Sequence, residues 1–403
     1  MVNQTGHIDQ IKQLNTGIVY RIIDQHGPIS RIALSKQAQL APASITKITR
    51  ELMDAHLIKE LEFPVLGLRG RPAVGLVIES EGWQFLAIRI EGQKLIISLK
   101  EINAVTLAQT EYPFTPLGNS EFMDSLTELI SQFFASHQKI LERVTAISIL
   151  IDGILDPHTG VIYQHPSFKI HQLAIAESLT KQTGLPVYLH PPVDALALMD
   201  HFSHQEKRKE KNIIYLQLQD VVNVMVLSHG TTLDTNTHRP ILFGHTQCEP
   251  CNHNFCYCGS DGCLETQTSI PAILHQAESL LINYPDSHLH QKNISIDNIC
   301  SGAISNDSLC VYLINQVAQR LAKPLGLMVN LLGSELILVN SPLNQDSKLF
   351  LECLHNHINK HTIPLYSSNL VIEKSIFTVK DSETSLIQRA LYDGSLLLQL
   401  LQG

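Results

Sequence analysis

Residues 245–265 read HTQCEPCNHNFCYCGSDGCLE, and this stretch holds five of the chain's eight cysteines together with His245 and His253. Such a run can build a catalytic metal centre, a structural metal clamp or a disulfide knot. The rest of the chain bears on the choice. No window supplies the roughly 18 uncharged apolar residues of a spanning helix. The polar start MVNQTGHIDQIKQ lacks the apolar core of a signal peptide, so the sequence places the protein in the cytoplasm. Disulfides are rarely kept in a reducing compartment, where clustered thiols more often hold a metal, and the knot becomes the weakest of the three readings.

A chain of 403 residues implies two or three domains, and 44% hydrophobic with 17% charged residues describes an ordinary soluble globular protein. The net charge of -9 is unevenly spread: residues 1–78 carry nine Lys/Arg against six Asp/Glu, the remainder 20 against 32. A slightly basic head on an acidic body fits a nucleic-acid-binding unit attached to a regulatory one.

The head reads as helices followed by a hairpin. Ile8, Ile11, Leu14, Ile18 and Ile22 recur at helical steps, which predicts an amphipathic helix ended by Gly27-Pro28 and buried along that stripe. Ser30 is a natural N-cap for a second helix in SRIALSKQA, and Pro42 opens a third in PASITKITRELMDAHLI, where its missing N–H costs nothing. Ile45, Ile48 and Leu52 then point inward, leaving Ser44, Thr46, Lys47 and Arg50 outward. A helix-turn-helix uses such a face in the major groove. LIKELEF and VGLVIES read as strands around PVLGLRGRP, whose Arg69 and Arg71 suit a wing along the backbone or in the minor groove. Ser30 and Arg31, at the start of the second helix, join the predicted DNA contacts. Beyond the wing, strand runs such as WQFLAIRIEGQKLIISLKEI and NIIYLQLQDVVNVMVLSHG alternate with helical stretches, which predicts an α/β body in two lobes.

The RGRPAVGL wing, DGILDPHTGVIY, GHTQ, CYCGSDGCLET and VNLLGSELILVNSPL, in this order, resemble the ROK family of repressors, open reading frames and sugar kinases. Within it the chain is similar to repressors of sugar phosphotransferase genes, strongly so in the first 78 residues and in the ending YDGSLLLQLLQG. The resemblance spans essentially the whole chain. It implies a winged helix-turn-helix over 1–78 and a two-lobed, actin-like body of the sugar-kinase type. The first lobe would cover 79–190, completed by a C-terminal helix in 381–403, and the second would cover 191–380 with a zinc site. The zinc ligands of the family carry over to His245, Cys256, Cys258 and Cys263. One imidazole and three thiolates leave no open position, so the resemblance implies a structural Zn2+. Cys248 and Cys251 stay open as replacement ligands, partners of a second metal with His253, or free thiols. Cys300, Cys310 and Cys353 read as buried small hydrophobes.

Kinase chemistry needs glycine-rich turns at the ATP phosphates and a carboxylate base at the sugar hydroxyl. Against the family pattern, Arg89 replaces the acid of the first phosphate loop, and LQDVVNVMVLSHG has valines in the second. Pro191-Pro192 stands at the catalytic Asn-Asp, with Asp194 expected to point elsewhere, and Leu242 replaces a sugar-gripping Glu. Only His245 and Glu265 of that set remain. Asp152 and Asp156 are expected to satisfy backbone N–H groups of a turn. The implied function is a non-enzymatic repressor that binds double-stranded operator DNA as a homodimer or tetramer. Its release would come by capture on the membrane-bound glucose permease of the phosphotransferase system. The pair Phe133-Phe134 is a candidate contact for that partner, though core packing of one or both is the preferred reading. The alternatives are a ROK sugar kinase and a repressor induced directly by a sugar or sugar phosphate. The apolar tail SLLLQLLQG is expected to pack on the head or on a partner subunit.

Overall fold

The computed structural model describes residues 4–63, 73–204, 208, 210–233, 240–248, 255–344 and 348–402. Arg69 and Arg71 of the expected wing, and Cys251 and His253, lie outside the described residues.

The head is helical and closes with a hairpin: α1 (Gln4–His26), α2 (Arg31–Ala38), α3 (Pro42–Asp54), then β1 (Ile58–Phe63) antiparallel to β2 (Ala73–Ile78) in the register Ile58↔Ile78 to Phe63↔Ala73. Ser30 caps α2 by accepting from the Ala33 N–H at 3.3 Å, and Pro42 is the first residue of α3. Ile45 and Leu52 are fully buried and Ile48 nearly so, as the periodicity demands. Two expectations fail. Helix α3 stops at Asp54 rather than running on to Ile58, because His56 turns left-handed (φ 57) and the Leu57 N–H returns to the Leu52 carbonyl at 2.9 Å. Of the α1 stripe, Ile22 is buried and Ile18 partly so, whereas Ile11 and Leu14 are half exposed, and the buried side also takes in Thr16, Gly17, Val19, Tyr20 and Ile23. The reason lies at the other end of the chain, since α1 packs against the two C-terminal helices, Ser385–Tyr392 and Ser395–Gln402.

The body holds two five-stranded sheets. The first has the order β10-β6-β3-β4-β5, built from β3 (Trp83–Glu91), β4 (Lys94–Glu101), β5 (Thr106–Pro113), β6 (Arg143–Ile151) and β10 (Val187–His190). Helices α4 (Asn119–Ser136) and α5 (Ile175–Thr183) bury Phe122, Leu126, Ile130, Ile175 and Leu179 against it. Phe133 is also fully buried there and Phe134 half-buried against the same core, so the aromatic pair is not an exposed partner contact. A small sheet of β7 (Ile154–Asp156), β8 (Val161–Gln164) and β9 (His171–Leu173) follows β6. The second large sheet has the order β13-β12-β11-β14-β15, from β11 (Asn212–Leu218), β12 (Val222–Ser228), β13 (Thr231–Thr232), β14 (Leu336–Asn340) and β15 (Val371–Lys374). The 25-residue helix Ser308–Leu332 crosses from its antiparallel part to the parallel strand β14. Helix α6 (Pro192–Ser203), nearly all buried, contacts β6, β11 and β12 and so links the two sheets.

One core joins the head to the body: Val19, Ile23, Leu34, Ile45 and Leu52 share a cluster with Trp83, Phe85 and Ala87 of β3 and with Ile387, Leu391, Leu396 and Leu397 of the C-terminal helices. The apolar tail therefore packs on the head. The contact is backbone-close. A Cβ at Gly17 would lie 2.4 Å from the Tyr392 carbonyl oxygen, and one at Gly394 2.1 Å from the Gln13 carbonyl oxygen. The Tyr392 hydroxyl donates to Asp24 at 2.6 Å. Gly394 also has φ +80, so Gly394→Ala combines left-handed strain with a backbone clash and should lower stability by about 2–4 kcal/mol. Gly184→Ala, at φ +73 with no atom within 4 Å, should cost only about 1 kcal/mol. Equal midpoints of denaturant unfolding for the two variants would show that the head and tail do not grip each other.

Candidate functional site

On α3, Ser44, Thr46, Lys47 and Arg50 are all exposed, while Thr49 is buried and bonds back to the Ile45 carbonyl at 2.8 Å. The outward strip is thus fixed by an anchored inner face. Ser30 and Arg31 are otherwise engaged: the Ser30 hydroxyl is the N-cap, and Arg31 donates to Glu60 at 2.7 Å and to Thr49 at 3.4 Å, tying α2 to α3 and β1. A recess lined by Arg31, Ile32, Ser35, Lys36, Pro42 and Thr46 lies between α2 and α3. Sequence reasoning passed over Ile32 and Lys36, both exposed beside α3; the run SRIALSK holds them in plain view, but an eight-residue helix carries too weak a periodicity to orient them.

His245 ends a one-turn helix, Phe243–His245, and the cysteines follow in a loop held by bridges Gln247↔Cys263 and Phe255↔Asp261. Gly259 and Gly262 turn that loop at φ +88 and +72. Cys256 Sγ is 3.4 Å from His245 Nδ1 and Cys258 Sγ is 3.6 Å from Cys263 Sγ, and the ligand atoms of all four residues lie within 4.8 Å of one another. Ligands about 2.3 Å (S) and 2.0 Å (N) from a tetrahedral Zn2+ would be roughly 3.5–3.8 Å apart, so the set fits. The Tyr257 hydroxyl pairs with His245 Nε2 at 3.3 Å, leaving Nδ1 to face the thiols. Burial holds His245 below its ordinary range, hence neutral and ready to ligate, and pushes Cys263 up to about 11 and Cys256 up as well. Cys258 moves down despite burial, through hydrogen bonds to Ser260. Ionising all three thiols needs a cation at their centre, and the cluster can hold one. Cys248 is half-buried against the second-lobe core.

Beside this loop, between the two large sheets, lies a cleft of about 370 Å³ lined by residues that include Arg89, Glu91, Asp152, Gln217, Asp220 and Lys380. Arg89 is buried and pairs with Glu91 and Glu383, and Lys100 reaches the same Glu383 at 3.0 Å. A second recess of only about 30 Å³ is lined in part by Gly153, Pro191, Asp194, Asn223 and Leu242.

The pattern of a ROK body, a Cys-x-Cys-x4-Cys clamp beside an interlobe cleft, is matched in sequence: residues 85–382 fit the model of the ROK family. The chain belongs to the ROK family. It is 37% identical to the DNA-binding transcriptional repressor Mlc of Escherichia coli (strain K12), over 100% of this chain and 99% of Mlc. It is 30% identical to the DNA-binding transcriptional dual regulator NagC of the same strain, over 99% and 98% of the two chains. The crystal structure of a ROK family transcriptional regulator, a homolog of E. coli Mlc, superposes with TM-score 0.88 at 36% identity, over 98% of this chain and 100% of that one. A ROK family glucokinase from Streptomyces griseus, in complex with glucose and AMPPNP, superposes with TM-score 0.62 at 16% identity over 75% of this chain and 97% of the kinase, a likeness of fold. The α/β, two-lobed, sugar-kinase-like body behind a helical head is thereby shown.

In ROK terms the cleft is altered at each position the sequence flagged. Arg89, where an acid is expected, is neutralised internally. Val221 and Val222 are buried in the turn between β11 and β12. Pro191 and Pro192 begin α6, and Asp194 lines the small recess rather than pointing away, but its carboxylate is taken by His190 Nδ1 at 2.8 Å. Glu265 is buried and accepts from the Val222 N–H at 2.9 Å, which fastens the cysteine loop to β12; burial raises its carboxyl to about 7. Asp156 accepts from the His158 and Thr159 N–H groups as expected of a turn aspartate. Asp152 does not: it faces Gln217 Nε2 at 3.5 Å across the cleft. Burial, then the charges of Asp220, Glu265 and Glu91, raise its carboxyl from 3.8 to about 7. The folded protein thus keeps a proton that the unfolded chain releases, so this contribution is fully present below about pH 4 and is lost as pH rises to about 7. Asp152→Asn should remove that slope, its stability advantage over the unsubstituted protein growing across the window to about 2 kcal/mol. Parallel stability–pH curves for the two proteins would contradict the assignment.

Proposed function

We propose that this protein is a DNA-binding transcriptional repressor of sugar-uptake and phosphotransferase genes. The observation that carries the reading is end-to-end similarity to the repressor Mlc, head included, joined to an exposed, anchored strip of hydroxyls and cations on α3. In this reading residues 1–78 are the DNA-binding unit. The body comprises one lobe of 79–190 completed by 381–403 and another of 191–380. Ser44, Thr46, Lys47 and Arg50 enter the major groove of a double-stranded operator, and Arg69 and Arg71 serve the wing. Ser30, the N-cap, and Arg31, paired with Glu60 yet still partly exposed, complete the proposed DNA contacts at the start of α2. Two half-sites call for a homodimer or tetramer. A DNA partner also places the protein in the cytoplasm; among the described residues no helix is long and apolar enough to cross a membrane.

The body then acts without kinase chemistry. Arg89 satisfied by Glu383, valines at the second phosphate loop and a proline pair at the base position support this. Leu242 in place of a sugar-gripping Glu, and Pro191-Pro192 in place of the Asn-Asp pair, favour release by capture on the membrane-bound glucose permease over direct sugar induction. A Zn2+ on His245, Cys256, Cys258 and Cys263 is structural, since four protein ligands leave no coordination position for a substrate.

Lys47→Ala and Arg50→Ala should each weaken operator binding and lower the salt dependence of the association constant by about one unit of log–log slope per lost phosphate contact. Titrations at several salt concentrations read this directly, and an unchanged slope in both variants would remove α3 from the interface. Cys258→Ser should release the metal and lower the melting temperature; metal analysis that still finds full occupancy would reject the ligand set. Pull-down on permease-containing membranes should retain the protein while glucose is transported. Release from the operator by glucose or a sugar phosphate alone would instead establish direct induction.

A further inference from the structure

A second group of metal-ligating side chains lies well apart in the chain from the cysteine loop. His288 sits in the single turn His288–His290, and Cys310 in the first turn of the helix Ser308–Leu332, whose N-cap is Asp307. Their ligand atoms lie within 4.8 Å of one another, with His288 Nδ1 3.0 Å from Asp307 Oδ2. Cys310 is fully buried, and the side chains of Asp307 and His288 keep 6% and 28% of their surface.

Helix capping accounts for part of this arrangement. Asp307 Oδ1 accepts from the Leu309 and Cys310 N–H groups, and Oδ2 accepts from the Ser287 hydroxyl and the His288 N–H. Capping does not account for the imidazole and thiol being brought together. That approach is made possible by Gly302, on the helix Ile296–Ile304: a Cβ there would lie 2.6 Å from Cys310 Sγ and 2.7 Å from His288 Nδ1. One nitrogen, one thiol and one carboxylate oxygen at such separations are the donor set of a borderline divalent ion, and ligands of tetrahedral zinc lie about 3.3–3.6 Å apart when oxygen and nitrogen are included.

We infer that His288, Asp307 and Cys310 form a second divalent-metal site, of the zinc class, with a fourth position open to water on the side where His288 reaches the surface. Binding breaks the Cys310 S–H bond and forms a metal–thiolate bond, the proton passing to solvent. The His288 proton moves to Nε2 and frees the Nδ1 lone pair for the ion. No change of oxidation state is involved. Because the thiol must give up its proton to bind, uptake weakens as pH falls. The ion would pin the turn His288–His290 to the bases of two helices of the second-lobe core. With only three protein ligands it should exchange faster than the four-ligand clamp.

The test is cobalt and zinc titration of the full-length protein after chelation, followed by absorption spectroscopy and elemental analysis. The expected result is a tight equivalent with the intense bands of several thiolates, then a second, weaker equivalent with a single-thiolate charge-transfer band. His288→Gln and Cys310→Ala should each abolish the second equivalent and spare the first. His288 is part-exposed, so His288→Gln keeps the test readable if Cys310→Ala fails to fold. Cys248→Ser combined with Cys251→Ser should retain both equivalents. Uptake of a single equivalent by the unsubstituted protein would overturn the inference. So would a second equivalent that survives His288→Gln or disappears with Cys248 and Cys251.

Discussion

Glu383 is the constraint on which much of this structure turns. Its side chain keeps 1% of its surface, and a buried carboxylate is tolerated only when its charge is answered at close range. Arg89 on β3 and Lys100 on β4 answer it, from neighbouring strands of the first sheet. Removing Glu383 would leave two buried cations without the carboxylate they share, a cost of about 3–5 kcal/mol. Because Glu383 stands just before the helix Ser385–Tyr392, the same ion cluster fixes where the C-terminal helices begin, and those helices carry the head. Arg89 is thus turned inward and made part of the scaffold.

The buried glutamate also shows how a catalytic cleft can be retired without collapsing the fold. Exchanging an acid for Arg89 would place an unanswered cation at the mouth of the cleft; the partner carboxylate arrives from nearly three hundred residues away and restores neutrality. Likewise Glu265 is bonded to the Val222 N–H and holds the cysteine loop against β12. Both residues act as fasteners within a fold shared with a sugar kinase.

Much of this was legible in the chain. The helix-turn-helix could be read because its signals are local: the Ser30 cap, Pro42 at a helix start, and Ile45, Ile48 and Leu52 at helical spacing. Three members of the cluster stand in one Cys-x-Cys-x4-Cys motif with His245 a short loop ahead of it. What was misread depends on distant partners. The stripe of Ile11 and Leu14 on α1 has the right period, but the tail packs against Gly17 and Tyr20 instead, and no local pattern announces that a glycine marks the buried side. Asp152 resembles a turn aspartate until the second lobe brings Gln217 and Asp220 beside it. His288, Asp307 and Cys310 gave no signal because two lie in a capping arrangement and the third looks like core.

The shared core has a consequence for how the protein is made. The first residues to leave the ribosome are those of the head, yet Val19, Ile23 and Leu34 find part of their packing only against Ile387, Leu391, Leu396 and Leu397, among the last to be synthesised. N-terminal domains ordinarily fold during synthesis, before the rest of the chain exists. Here part of the head's packing waits on the C-terminal helices, so a chain cut before Ser385 leaves Val19, Ile23 and Leu34 without that cover.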